Sequence, residues 1–165
     1  KYQKTLDAFL FCCYAGMRYS DFVNMKPDNI VEMHQETWLI YKSIKTGTEV
    51  RLPLYLLFSG KGILILNKYQ ANLQDFFHLR DNSNVNKELI IIARLAGVAK
   101  KVSFHTARHT NATLLIYNGV NITTVQKLLG HKSVKTTQIY TNVMDATIIS
   151  DLEKNHSSVH RKKGK

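Results

Sequence analysis

A chain of 165 residues, 44% hydrophobic and 21% charged, with only 2 prolines and 8 glycines, has the apolar content of one globular domain and excludes disorder, collagen-like repeats and low complexity. The clean apolar run Phe9 to Met17 and the run Leu89 to Ala99, broken by Arg94, both fall short of the roughly 18 residues that span a bilayer. The net charge of +11 points to a polyanionic partner, nucleic acid first and a phospholipid surface second.

The chain starts at Lys1 with no signal-peptide pattern, which reads as a domain excised from a longer product. Thr5 to Tyr19 carries Leu6, Phe9, Leu10, Cys13 and Met17 at helical spacing, predicting a buried helix. Cys12 and Cys13 are adjacent within it, a spacing that suits neither a disulfide framework nor a zinc site, so both are read as core in a reducing compartment. A short helix is expected from Ser20, ending before Pro27. Then Ile30 to Met33, Thr37 to Tyr41 and Glu49 to Leu54 read as strands, with Lys45-Thr46-Gly47-Thr48 as a hairpin turn.

Helical texture returns after Gly60 to Gly62 and runs to about Tyr69. A polar loop is expected over Arg80 to Asn84, then a helix from Asn86 to Ala96 closed by Gly97. Further helices are predicted over Thr106 to Tyr117, Ile122 to Leu129 closed by Gly130, and Lys135 to about Asn142. The fold class is therefore mainly α with a small three-stranded antiparallel sheet. One domain is expected over residues 1–155, with a basic tail over 156–165 that holds Arg161, Lys162, Lys163 and Lys165 and no acid.

Several groups carry chemistry. His105 and Arg108 stand at i and i+3 of a predicted helix, where both can converge on one anion, although a solvated helix start reads the same way. His109 adds an i, i+4 histidine pair, but Thr106 replaces the glutamate a zinc protease needs, no third ligand is evident, and Arg108 repels a cation, so no metal is expected. His131 follows Gly130 in a turn, and Tyr140 lies nine residues on; read singly, they are a capping histidine and a core aromatic. Arg18 closes an apolar helix with Asp21 in i+3 reach, which an ordinary salt bridge also explains, and Lys45 alone is a solvated turn lysine.

In order, however, Arg18, Lys45, His105, Arg108, His131 and Tyr140 resemble the pattern of the tyrosine recombinase (phage integrase) catalytic domain: Gly-x-Arg-x-x-Asp/Glu, a hairpin lysine, His-x-x-Arg, Leu-Gly-His and a later tyrosine. The resemblance runs from about Leu6 to Asn142. FHTARHT over 104–110 and LLGHKSVKTTQIY over 128–140 are similar to integrases of bacterial conjugative transposons. Met17 stands where leucine is usual and Asp21 where glutamate is common, and neither change removes a functional group.

The resemblance implies a DNA breaking and rejoining enzyme that integrates a mobile element through a 3′-phosphotyrosine, with no metal, ATP or other cofactor. Tyr140 would be the nucleophile, Lys45 the general acid, His105 the proton acceptor, and His131 a donor to the phosphate. Arg18 and Arg108 would bind the scissile phosphate, with Asp21 in support, and Lys42, Lys132 and Lys135 would contact DNA. It further implies double-stranded DNA as partner, self-association to a tetramer in synapsis, accessory DNA-bending proteins, a bacterial cytoplasmic, nucleoid-associated location, and an N-terminal DNA-clamping domain absent from this sequence. Two other readings stay open: strand relaxation like that of a type IB topoisomerase, and a non-catalytic DNA-binding module with a helix-turn-helix over Thr106 to Tyr140.

Overall fold

The computed structural model describes residues 2–140. Its first helix, α1 (Gln3–Ala15), buries Ala8, Phe11 and Cys12 completely, and both cysteines are free thiols inside the core. The helix stops short of the expected Tyr19. Gly16 adopts φ +68 and donates its N–H to the Cys12 carbonyl at 2.8 Å, a left-handed cap that a glycine adopts at little cost. Helix α2 (Tyr19–Val23) follows at once with Arg18 at its N-cap. Arg18 therefore sits in the turn between two helices and not at the end of one.

A 3-10 turn over Pro27–Asn29 leads into β1 (Ile30–Met33), β2 (Glu36–Lys42) and β3 (Glu49–Pro53), an antiparallel sheet in the order β1-β2-β3. The pleat puts Leu39, Tyr41, Val50 and Leu52 into the core, whereas Lys42, Glu49 and Arg51 face outward. Leu39 pairs with Leu52 and Tyr41 with Val50, so register and burial agree.

The second half is helical: α3 (Lys61–Lys68), α4 (Leu73–Phe77), α5 (Asn82–Leu95), α6 (Phe104–Tyr117), α7 (Ile122–Leu129) and α8 (Lys135–Gln138). The expected polar loop over Arg80 to Asn84 is mostly the first turn of α5. Asp81 caps it by accepting the Asn84 N–H at 3.1 Å, and no apolar residue precedes Val85 to reveal the helix earlier. Likewise α6 starts at Phe104, ahead of Thr106, because Ser103 and Thr106 form a capping box. Helix α8 spans Lys135–Gln138 and Tyr140 lies in the turn after it; Asn142 and the proposed 156–165 tail lie outside the described residues.

One aromatic cluster ties these pieces together. Phe22 of α2 contacts Phe11 of α1, Phe76 and Phe77 of α4 and Phe104 of α6, with ring centroids 6.1, 5.4, 5.4 and 6.0 Å away. Phe22 thereby fixes α2, and with it Arg18 and Asp21, against the helix that carries Arg108. Among the described residues no helix is long and apolar enough to cross a membrane.

Truncating the centre of this cluster leaves a cavity bounded by four rings. Phe22→Ala should cost ~3–5 kcal/mol in denaturant unfolding, while Leu95→Ala, at a position 77% exposed, should stay within ~0.5 kcal/mol.

Candidate active site

Arg18 is held by a small buried relay. Its Nη1 donates to Ser43 Oγ at 3.1 Å and lies 3.6 Å from Asp21 Oδ2, while the Ser43 hydroxyl donates to the same Oδ2 at 3.3 Å. The other Asp21 oxygen accepts the Ile44 N–H at 2.8 Å. Asp21 thus stands beside Arg18 and also anchors the β2–β3 hairpin. Ser43 was not legible as part of this relay, since nothing local marks a serine at a strand end.

Arg108 is the largest fully buried side chain, only 1% exposed. Its Nη1 donates to the Gly16 carbonyl at 2.7 Å and its Nη2 to the Leu129 carbonyl at 2.6 Å. Among the described residues no carboxylate stands within ion-pair distance of it. Both carbonyls belong to helix C-terminal turns, α1 and α7, whose last C=O groups lack intrahelical partners and carry the negative end of the helix dipole. Burial, then the charge of Arg18, pulls the Arg108 pKa down to about 10, so the guanidinium remains a cation at neutral pH.

Asn111, one turn further along α6, donates to the Cys13 and Tyr14 carbonyls at 3.0 and 2.9 Å. At Gly16 a Cβ would stand 2.6 Å from Asn111 Oδ1 and 2.9 Å from Leu129 Cδ2, so a residue without one is required for α1 to end against α6 and α7.

His131 is buried, with Nδ1 2.9 Å from the Thr137 hydroxyl. Burial, then Arg108, Arg18 and Lys45, lower its pKa to about 4. The neutral tautomer in which Nδ1 accepts from Thr137 carries its proton on Nε2, where it can be offered to an anion. His105 is more exposed, and its pKa is also lowered, by desolvation first and then by His109, Arg108, Arg18 and Lys45, which favours the neutral, proton-accepting form. The His105 and His109 rings stack edge to face at 4.4 Å, and His109 meets Tyr140 at 5.2 Å. Partial burial raises the Tyr140 pKa, and Arg108 and Arg18 pull against that rise.

Lys45 is exposed at the hairpin tip and lines, with Arg18, His105, Asn82, Asn86 and Ser103, an open cleft of about 310 Å³. Arg18, Lys45 and His105 therefore share one cavity; Tyr140 reaches His105 through the ring of His109, Arg108 lies buried behind them, and His131 lines a separate groove. The lysines read as DNA contacts are all exposed but do not line that cleft. Lys42 faces outward beside Glu49 on the hairpin, Lys132 borders a separate groove with Arg51, Lys127 and His131, and Lys135 opens α8. His109, Asn111, Thr137 and Thr46 complete the site without having been singled out for it.

Residues 2–147 match the phage integrase family, and the chain belongs to it. It is 31% identical over 163 residues to the tyrosine recombinase XerC of Rickettsia bellii (strain OSU 85-389), covering 93% of this chain and 50% of that protein. The chain spans about half the length of the curated relatives it matches. Its fold is that of the XerA recombinase crystal structure (TM-score 0.69, 23% identity, 94% of this chain and 64% of that one). It is also that of the Tn1549 transposon integrase in complex with a circular intermediate DNA (TM-score 0.68, 14% identity, 93% of this chain and 59% of that one).

The buried imidazole gives a direct check. Because the folded His131 binds its proton less readily than the unfolded chain, its contribution is intact above pH 6.5 and is lost as pH falls from 6.5 toward about 4. Imidazole NMR should show a His131 midpoint near 4, and His131→Gln should flatten the acid side of the stability profile; a midpoint at 6.5 would contradict the burial argument.

Proposed function

We propose that this chain is the catalytic domain of a site-specific DNA recombinase that breaks and rejoins strands through a 3′-phosphotyrosine. The observation that carries the reading is Arg108, a buried guanidinium paired only with helix-end carbonyls among the described residues, beside a second guanidinium on Arg18. Such a site is short of negative charge, and a phosphodiester supplies it in the geometry a guanidinium fork matches.

The Tyr140 oxygen attacks phosphorus, and its proton passes to neutral His105. As the Tyr–O–P bond forms, the bond from phosphorus to the 5′ oxygen breaks; the electron pair leaves on that oxygen, which takes a proton from Lys45. Arg18, Arg108 and the Nε2–H of His131 meet the charge that builds on the non-bridging oxygens. The phosphotyrosine conserves the energy of the broken bond, so a 5′-hydroxyl from another strand reverses the step with the same groups.

Double-stranded DNA is the substrate and several copies assemble on it, with Lys42, Lys132 and Lys135 as backbone contacts and bending proteins as accessories in a bacterial cytoplasm. The similarity of 104–110 and 128–140 to transposon integrases supports integration of a mobile element as the biological role. Several relatives are named tyrosine recombinase XerC or XerD, which supports recombination as the activity.

The test uses a pool of nicked duplexes with randomised core sequence, from which SDS-resistant protein–DNA adducts are recovered and sequenced. An adduct should form with the native chain and vanish with Tyr140→Phe, and two duplexes bearing the recovered core should give recombinant products. An adduct persisting in the Phe variant, or adducts without recombinant products, contradicts the proposal. Arg18→Lys and Arg108→Lys keep the charge but lose the fork, and cleavage should slow by roughly a hundredfold to a thousandfold, the equivalent of ~3–4 kcal/mol.

A further inference from the structure

We propose that Thr46 is a positioning residue for Lys45: its side-chain hydrogen bond to the Gly130 carbonyl fixes the hairpin tip to the turn that carries His131, and so sets where the lysine amine stands. The inference rests on the reading of Lys45 as proton donor to the leaving 5′ oxygen.

Lys45 is exposed, and its two chain neighbours are each tied to a different helix. On one side the Ile44 N–H donates to Asp21 Oδ1 of α2 at 2.8 Å. On the other, Thr46 Oγ1 donates to the carbonyl of Gly130, the residue that ends α7, at 3.0 Å. Inside the turn, Gly47 N–H donates to the Ser43 carbonyl at 2.8 Å and Ser43 N–H to the Thr48 carbonyl at 2.9 Å. Those bonds give the tip its shape but not its direction, because both partners move with it. The contacts that reach outside the hairpin and orient it are those of Ser43 and Ile44 with Arg18 and Asp21 on one side, and of Thr46 with Gly130 on the other.

The acceptor is itself fixed. Gly130 has φ +62 and is buried, and a Cβ there would come within 2.6 Å of Val50 Cγ2 on β3. The α7 turn is therefore already pressed against the sheet through Val50, so removing the Thr46 hydroxyl leaves that packing in place and loosens the tip, which also loses the bond Thr46 Oγ1 accepts from the Thr48 N–H at 3.4 Å. A lysine amine displaced by an ångström or less slows proton transfer, since reaction geometry is far steeper than fold stability in its distance dependence. By the same bond the donor to the leaving oxygen and His131 are held in one frame, 84 residues apart in the sequence at Thr46 and Gly130.

The experiment is single-turnover cleavage of the duplex recovered above, made with either the ordinary 5′-bridging oxygen or a 5′-bridging sulfur, which leaves as a thiolate and needs no proton because thiols ionise near pH 8.5. Thr46→Val keeps shape and removes the hydroxyl; Thr46→Ser keeps the hydroxyl. Thr46→Val should slow cleavage of the oxygen substrate about tenfold, with unchanged DNA affinity, and cleave the sulfur substrate within about twofold of the native rate, while Thr46→Ser stays near native on both. Lys45→Ala separates the two claims. If sulfur rescues Lys45→Ala but Thr46→Val is equally slow on both substrates, or cleaves the oxygen substrate at the native rate, the role of Thr46 is overturned and that of Lys45 stands. If sulfur does not rescue Lys45→Ala, the proton-donor assignment falls, and this inference with it.

Discussion

A cation with almost no exposed surface, held by two backbone carbonyls and no carboxylate among the described residues, is the constraint around which this molecule is arranged. Burying a charge is costly unless it is hydrogen-bonded and compensated. For Arg108 the compensation comes from the C-terminal ends of α1 and α7, where unpaired carbonyls and the negative ends of two helix dipoles converge. These are partial charges. They hold the guanidinium in place without cancelling it, whereas an aspartate there would neutralise the site and compete with a phosphate. The positive charge is left uncancelled because the fold stabilises the arginine with dipoles.

That arrangement explains the demanding backbone at two places. Both α1 and α7 must stop at the site, so both end in a left-handed glycine, Gly16 and Gly130, with neighbours too close for a Cβ. From α6, Arg108 and Asn111 together bind the last carbonyls of α1, and from the sheet Val50 closes on Gly130. Arg18 is set by a complementary route, through Asp21 and Ser43, in which a carboxylate is present but is shared with a hydroxyl and a backbone N–H. One guanidinium is oriented by dipoles and the other by a divided carboxylate.

Much of this was legible because periodicity reports burial directly. The three strands, the hairpin at Lys45 and the helix ends at Gly97 and Gly130 follow from alternation and turn chemistry. Helix ends masked by polar residues did not: the first turn of α5 looks like a loop because Asp81 and its neighbours carry no apolar signal, and α4 is too short for a period to show. The break at Gly16 was hidden inside an apolar run that continues to Met17. Of the residues resembling the family pattern, Arg18, Lys45 and His105 line one cleft while His131 lines another groove, and the supports Ser43, Thr46, Asn111 and Thr137 were not foreseen. Two of these ties span long stretches of chain, from Asn111 to Cys13 and from Thr46 to Gly130, and leave no local trace. Thr137 is six residues from His131, but its role depends on a ring orientation that spacing does not encode.

The most direct test of this electrostatic account is a crystal structure of the protein with DNA joined to Tyr140 through vanadate, a mimic of the five-coordinate phosphorus. The account predicts vanadate oxygens within ~2.7–2.9 Å of free donors on both Arg18 and Arg108, with Arg108 still bound to the Gly16 and Leu129 carbonyls. A vanadate lying away from Arg108, or one reached only after Arg108 has released both carbonyls, would contradict it.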